Sequence, residues 1–412
     1  MINTSLSTRL SQANRTSSAS RKADGGDATF NYNSQDTTVF PNGTVTLHGV
    51  TQGAAPSTDK VKANDPLKPE NGQYVYQEGD KREVQAQAFA TVAHTVDVFG
   101  QAIGQPINWA SHKQQLGVNY DHGEDFNAYY AREDTQPGAG DGGSVNFFHG
   151  KDPKTNQVIM SGDSGEVVSH ETGHAILDSF RPAYFSSFTP DVAAFHEAFG
   201  DMMGICMSLQ DPRVIDNVAK ATGGDLKQQN IVAATGEQLG AAINDVTGQN
   251  TTGGDWVRNA INDFKWADPN GLDQNGDATH LGSEAHSFSR LWTGAFYDVV
   301  AGIQADNMKQ NGGDAKAALQ ATGKEAVQLL ANMVKGAPQG DFTYRDMANA
   351  WIAADKQFDG GKRADLITQV MTDRGILGSN PTPTPQPQPP DDGGGDDGSD
   401  DGSMMHTFTF TD

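Results

Sequence analysis

The spacing of apolar residues along this chain changes from strand-like to helical. Alternation of apolar and polar positions is typical of half-buried strands. It predicts short strands at residues 44–48, 74–76, 117–120 and 144–148. Apolar residues at helical spacing predict one helix in this first half, over residues 83–99. We therefore expect an N-terminal half that is rich in strands and contains one long helix.

Helical spacing dominates the second half of the chain. A helix is predicted to begin near Asp163-Ser164-Gly165-Glu166, which offers an N-cap and an acidic first turn, and to continue to about residue 180. A second helix should begin at Thr189-Pro190, where an N-cap is followed by proline at the first helical position. Later helices are predicted at residues 235–244, 284–305, 314–335, 343–357 and 362–372. Together these elements predict an α+β fold.

The two ends of the chain differ in composition from the middle. Residues 1–29 are rich in serine, which favours a disordered N-terminus over an organelle transit peptide. From residue 379 to residue 412 the chain is first proline-rich and then rich in aspartate and glycine, as linkers are. Between these ends we expect a β-rich N-terminal lobe at residues 30–180 and a helical C-terminal lobe at residues 181–378.

The charge balance and the single cysteine exclude several classes of protein. Lys and Arg number 29 against 52 Asp and Glu, so the formal net charge is −23. This excess of acid disfavours binding to nucleic acids and to anionic membranes. Cys206 is the only cysteine, so no intrachain disulfide can form. We expect neither a membrane span nor a signal peptide, because no apolar run has the required length or position.

The segment that says most about chemistry is His170-Glu171-Thr172-Gly173-His174. On a helix this spacing puts two imidazoles on one face, about one turn apart. Two such nitrogens can bind one Zn²⁺, and the intervening glutamate can then take a proton from a zinc-bound water. The alternative is a polar helix face with solvated histidines. Apolar neighbours such as Val168 and Ile176 instead predict a buried helix, on which charged groups are costly unless paired or metal-bound.

The next predicted helix offers a third ligand. Glu197 and Asp201 are four residues apart and share one face of that helix. Glu197 would complete a His₂Glu site with an open position for water, and Asp201 would accept the second ring N–H of a ligand histidine. His196 points about 100° away from Glu197 around the helix. It is a rival ligand, and we leave it outside the predicted zinc site.

These two segments resemble the signature motifs of the thermolysin-like zinc metallopeptidases, which belong to the gluzincins. The family motifs have the forms HExxHAxxD and NEAxSD. Here they correspond to HETGHAILD at residues 170–178 and HEAFGD at residues 196–201. The family's Asn is His196 in this chain and its Ser is Gly200; neither is a metal ligand in the family. The resemblance covers about residues 94–377 and implies two lobes with the zinc site in the cleft between them.

The resemblance also implies roles for residues outside the two motifs. Asn127 and Ala128 resemble the edge-strand segment that holds an extended peptide substrate by strand addition. Arg258 resembles the arginine that binds a substrate carbonyl. Tyr184 and His286 resemble the two residues that stabilise the oxyanion, although the loop before Tyr184 is one residue shorter here. Each of the last three has a structural alternative: a loop anchor for Tyr184, an ion pair with a nearby aspartate for Arg258, and a core position for His286.

This chain departs from the family pattern in two further ways. The acid that lies five residues before the second histidine in the family is Leu281 here, and Glu284 or Asp277 are the available replacements. The family's calcium-binding cluster is not clearly reproduced. Glu166 stands where one calcium ligand would be, and residues 273–277 carry oxygen ligands at alternating positions, as calcium loops do, but also as plain polar turns do. Calcium is therefore a second candidate ion beside zinc.

Together, the motifs and the resemblance predict a monomeric zinc endopeptidase with Glu171 as general base and peptides as substrates. The resemblance implies a secreted enzyme, with a cytoplasmic one as the alternative. A catalytically silent binding protein is disfavoured because Glu171 is intact. A non-proteolytic zinc hydrolase is disfavoured because the Asn127-Ala128 segment suits an extended chain. A purely structural zinc site would more often use cysteines and fill all four positions.

Overall fold

The computed structural model of the protein describes residues 25–132, 143–250, 252–378 and the backbone of 406–407. The predicted tail from residue 379 lies outside these residues, except for that two-residue strand. Most of the predicted disordered N-terminus also lies outside them. Its boundary at residue 29 is wrong, because the first strand already begins at Gly26.

Helices account for 47% and strands for 14% of the described residues, so the structure is of mixed α and β type. The division into two lobes stays a prediction. The strands are short, and most of them precede residue 161. They are β1 (Gly26–Tyr32), β2 (Gly43–Val50), β3 (Val61–Ala63), β4 (Leu116–Asn119), β5 (Ala128–Ala131), β6 (Ser144–Phe147), β7 (His149–Lys151), β8 (Val158–Met160), β9 (Ala234–Thr235), β10 (Arg258–Asn259) and β11 (His406–Thr407).

The helices are longer and occupy most of the second half. They are α1 (Lys81–Ile103), α2 (Gly165–Phe180), α3 (Pro190–Ser208), α4 (Pro212–Thr222), α5 (Glu237–Thr247), α6 (Ala285–Gln310), α7 (Ala315–Gly336), α8 (Tyr344–Phe358) and α9 (Ala364–Asp373). Among the described residues, no helix combines the length and the apolar character that a bilayer span requires.

The largest sheet has five strands in the order β11-β5-β6-β4-β3. Its β3, β4 and β6 are parallel to one another, whereas β5 and β11 are antiparallel to their neighbours. Three two-stranded antiparallel pairs, β1-β2, β7-β8 and β9-β10, lie outside it. The sheet therefore places β5 between β6 and the short strand from the C-terminal tail.

Local signals predicted most of the helices correctly. The Ser164 side chain caps α2 by accepting from the Val167 N–H, and Thr343 forms a capping box with Asp346 at the start of α8. Helix α4 was missed, although Asp211-Pro212 is a readable start signal, with Asp211 as N-cap. The strand predicted at residues 74–76 is wrong, because Tyr74 forms only an isolated bridge with Phe30.

Helices α2 and α3 pack closely together in the core, and α3 in turn packs on α6. Glycines lie where α2 and α3 meet. A Cβ on Gly173 would lie 3.1 Å from the Cα of Gly200, and a Cβ on Gly200 would lie 2.5 Å from Nδ1 of His170. The imidazole of His170 therefore takes the space that a side chain at residue 200 would need, which accounts for glycine at this position.

Candidate metal centre

Helix α2 places His170, Glu171 and His174 side by side in the interior. Potential ligand atoms of these three side chains all lie within 4.8 Å of one another. All three are at most 1% exposed. The rings of His170 and His174 are 4.6 Å apart and nearly perpendicular, as expected for residues one turn apart on a helix. This face of α2 thus presents two imidazoles and one carboxylate to a common point.

Glu197 on α3 faces both imidazoles. Its Oε2 lies 3.3 Å from Nε2 of His170, and its Oε1 lies 3.6 Å from Nε2 of His174. The predicted docking of α3 across α2 therefore brings the third predicted ligand to the first two. Two imidazole nitrogens and one carboxylate form a donor set that suits Zn²⁺ and leaves one position open.

The second nitrogen of each imidazole is bound by a residue of α3. Nδ1 of His170 lies 3.0 Å from Oδ1 of Asp201, as the sequence predicted. Nδ1 of His174 lies 2.7 Å from Nδ1 of His196. If the Nδ1 of His174 carries the proton and donates it to His196, its Nε2 lone pair is directed at the common point. His196 thus contacts the nitrogen of His174 that faces away from the common point, a contact that the sequence reasoning did not assign.

Arg258 holds the Asp201 carboxylate rather than the aspartates considered from the sequence. Its Nε lies 3.0 and 2.9 Å from the two carboxylate oxygens, and its Nη2 lies 2.8 Å from Oδ1. Burial by itself would raise the pKa of Asp201, but the charges of Arg258 and His170 outweigh it and lower that pKa. The Thr293 hydroxyl, which the sequence reasoning missed, donates to Oδ2 at 3.1 Å. Asp201 is therefore held ionised against His170.

Glu171 differs from the other carboxylates of this centre in its hydrogen bonding. Neither of its carboxylate oxygens has a hydrogen-bond partner among the described residues. Burial raises its pKa to about 8, and the charge of Glu197 adds to the shift, while His170 opposes it. A buried carboxylate without partners is costly unless it serves a cation or a substrate. A bound metal with its open position would supply the missing partner, so these side chains fit a zinc ion.

His286 reaches the same point from the start of α6. Its Nε2 lies 3.3 Å from Oε2 of Glu197, and its Nδ1 lies 2.5 Å from Oε1 of Glu284. Burial alone would lower the pKa of His286, but Glu197 and Glu284 outweigh it and raise it to about 9. Of the two predicted replacements for the family's acid, Glu284 makes this contact, whereas Asp277 instead accepts from Thr279 and His280. The sequence left this choice open.

A cavity of about 1160 Å³ opens beside His286 and Arg258. Apolar residues such as Trp256 and Phe264 line part of it, and Asp125 and Phe126 border it just before β5. The predicted substrate-binding residue Asn127 follows directly; its side chain is 7% exposed and accepts from the Ala128 N–H at 2.8 Å. Strand β5 therefore begins at this cavity, next to the candidate metal centre.

The predicted catalytic role of Tyr184 is wrong in this structure. Its side chain is fully buried, and its hydroxyl donates to the carbonyl of Pro338 at 2.6 Å. Its ring packs against Phe195 and Phe342. The hydroxyl therefore cannot face a substrate at the common point, and Tyr184 fastens its loop to the segment after α7, as the structural alternative proposed.

Neither predicted calcium position coincides with a cluster of ligand atoms among the described residues. Residues 273–277 form a polar turn in which Asp277 accepts from the N–H groups of Thr279 and His280. Glu166 is buried near two other buried acids, Asp36 and Glu237, and burial together with their charges raises its pKa well above the usual range. Calcium binding stays a prediction.

Neither a scan of protein-family models nor a search of curated proteins found a match to this chain. The residues of the centre converge instead through the fold: five side chains from α2, α3 and α6 come together at one position, as a metal site requires.

Proposed function

We propose that this protein is a zinc-dependent endopeptidase. The observation that carries the proposal is the convergence of the His170 and His174 Nε2 atoms on the Glu197 carboxylate, with the buried Glu171 carboxylate beside them. His170, His174 and Glu197 would hold the metal. A zinc ion bound there supplies Lewis-acid chemistry, which polarises a carbonyl and lowers the pKa of water.

The remaining steps belong to the chain's own residues. Glu171 would take a proton from the attacking water onto a carboxylate oxygen and deliver it to the leaving amine nitrogen. Glu197 and Glu284 outweigh burial and raise the pKa of His286, which favours an N–H on Nε2 that can donate to the developing oxyanion. Arg258 keeps Asp201 ionised, and Asp201 fixes the orientation of His170.

A peptide substrate is favoured over a small molecule by the position of β5. An extended peptide can add to the edge of a short strand through main-chain hydrogen bonds, without needing a free terminus. Asn127 and Ala128 directly follow Asp125 and Phe126, which line the same cavity as His286. The family resemblance of the two motifs points to the same reaction.

Metal content and protein digestion, measured together, test this proposal. We expect about one zinc per chain, digestion of unstructured casein, loss of digestion after chelation and recovery on addition of zinc. Chelation should leave a digestion assay with an added serine protease unaffected, which controls for the substrate. Zinc without digestion would favour a silent or non-proteolytic zinc protein, and a chain that binds no zinc would contradict the proposal.

Replacing Tyr184 by phenylalanine should leave the rate of peptide hydrolysis within about threefold of wild type, because a hydroxyl that only anchors its loop does not contact the transition state. The change removes the donor to the buried Pro338 carbonyl and should cost about 1–3 kcal/mol of unfolding free energy. Steady-state kinetics and urea unfolding measure the two effects. A fall in kcat of a hundredfold or so, with stability unchanged, would restore the catalytic role.

A further inference from the structure

The outer edge of β5 is paired with a segment from the far end of this same chain. Strand β11 runs antiparallel to β5, with His406 opposite Tyr130 and Thr407 opposite Tyr129. The other edge of β5 pairs with β6. The outer edge of β5 is thus a strand-addition surface, and its occupant in this structure is β11.

That edge lies along the helix that carries the candidate metal ligands. The Tyr130 hydroxyl donates to Oδ2 of Asp178 at 2.9 Å, and Arg132 forms an ion pair with the same carboxylate. Asp178 lies one turn after His174 on α2. At its other end, β5 begins beside the cavity that His286 lines. A strand on this edge therefore has one end near Asp178, one turn after His174, and the other near the cavity that His286 lines.

Strand β11 runs toward the end of β5 that borders the cavity. Because the pairing is antiparallel, the step from His406 to Thr407 runs from Tyr130 to Tyr129, toward the Ala128 end of β5. A peptide that adds to this edge uses the same main-chain N–H and C=O groups of β5. A substrate that extends along β5 to pair with Tyr129 and Tyr130 therefore cannot occupy the edge together with β11.

Attachment to the same chain explains how so short a strand can hold this position. A two-residue pairing is too small to be stable as a separate peptide. A linked segment, however, experiences an effective concentration of up to the order of mM. The pairing can then be populated and yet be displaced by a substrate that makes more contacts.

We infer that β11 is an intramolecular ligand of the β5 edge that competes with peptide substrate. The competition rests on the proposed peptidase function, whereas the strand pairing does not. The proposed partner of this surface is thus an extended segment of the same chain, recognised through its main chain.

The deciding experiment compares full-length wild type with Thr407→Pro and, as a matched control, Ser403→Pro. Proline at residue 407 has no N–H and does not fit a paired strand, whereas residue 403 precedes β11. The first readout is amide hydrogen exchange of the peptide that covers β5. Exchange should be faster in Thr407→Pro than in the other two proteins, and this readout does not depend on activity. Equal exchange in all three would overturn the pairing.

The second readout is steady-state hydrolysis of a peptide. If the segment covers the edge for two-thirds of the time, KM should fall about threefold in Thr407→Pro with kcat unchanged. A synthetic peptide of residues 404–412 should inhibit this variant competitively. Faster exchange with an unchanged KM would overturn the competition. Cleavage of the tail in wild type but not in Glu171→Gln would also overturn it, because the segment would then be a substrate. Absence of hydrolysis in every variant would count against the proposed function, while exchange alone would still decide the pairing.

Discussion

Glu171→Gln should lower the rate of peptide hydrolysis by about 10²–10⁴-fold and leave the zinc content unchanged. Glutamine has nearly the shape of glutamate but cannot accept a proton at neutral pH. The side chain is fully buried and its two oxygens have no hydrogen-bond partner among the described residues, so little else should change. Steady-state kinetics and metal analysis of both proteins measure the two effects.

Glu237→Gln is the matched control for this change. Glu237, the first residue of α5, is also a buried glutamate, and burial and the charge of Asp36 raise its pKa as well. It does not line the common point at His170 and His174, so its replacement should leave kcat unchanged. Hydrolysis by Glu171→Gln at the wild-type rate, in a preparation free of other proteases, would mean that Glu171 is not the general base.

The same variant has an expected effect on the pH dependence of stability. The pKa of Glu171 rises from a usual value near 4.5 to about 8 in the folded, metal-free protein. The folded state therefore binds more protons than the unfolded state in this window, and its stability falls as pH rises from about 4.5 to 8. Glu171→Gln should show less of this fall in urea unfolding of the chelated proteins. An identical pH profile for both proteins would contradict the raised pKa.

Arg258→Met should lower the free energy of unfolding by about 3–5 kcal/mol, the usual cost of leaving one member of a buried ion pair alone. The guanidinium makes three contacts of 3.0 Å or less with the Asp201 carboxylate, and both side chains are at most 6% exposed. Asp201 also holds His170, so zinc affinity should fall by about 10–100-fold. Urea unfolding and a competition assay with a fluorescent chelator give the two numbers.

Two further variants make this result specific. Arg82→Met breaks exposed ion pairs with Asp80 and Glu70 and should cost far less stability than Arg258→Met, because solvent screens these charges. Adding Asp201→Asn to Arg258→Met removes the stranded charge and should recover part of the lost stability, although His170 is then less well oriented. If Arg258→Met costs no more than Arg82→Met, the buried pair does not have the structural role assigned to it.

Part of the candidate site could be predicted because its geometry is local. The spacing of His170 and His174 fixes their common face on any helix, and the same is true of Glu197 and Asp201. The hydrogen-bond partner of each of these side chains cannot be predicted from local spacing. That His196 binds His174, or that Arg258 binds Asp201 rather than Asp255, depends on how α2, α3 and β10 meet.

The helix starts were determined by the sequence itself. Ser164, Thr343 and the Thr189-Pro190 pair act within one turn of the chain, so a single sequence contains their signal. The short strands were less well predicted, because a strand of two to four residues is stabilised by its neighbours rather than by its own pattern. The missed helix α4 had a readable start at Asp211-Pro212, so its absence from the prediction was not a limit of the sequence.

Long-range contacts decided the rest. Tyr184 is an anchor because its hydroxyl meets the Pro338 carbonyl, 154 residues away, and no local pattern encodes that distance. The pairing of β11 with β5 joins residues that are still further apart in sequence. The sequence alone thus determined which side chains could bind a metal and on which helix faces they stand, since both follow from periodicity. Only the tertiary structure decided which groups orient them and what lies on the β5 edge, because those contacts depend on how separate elements pack.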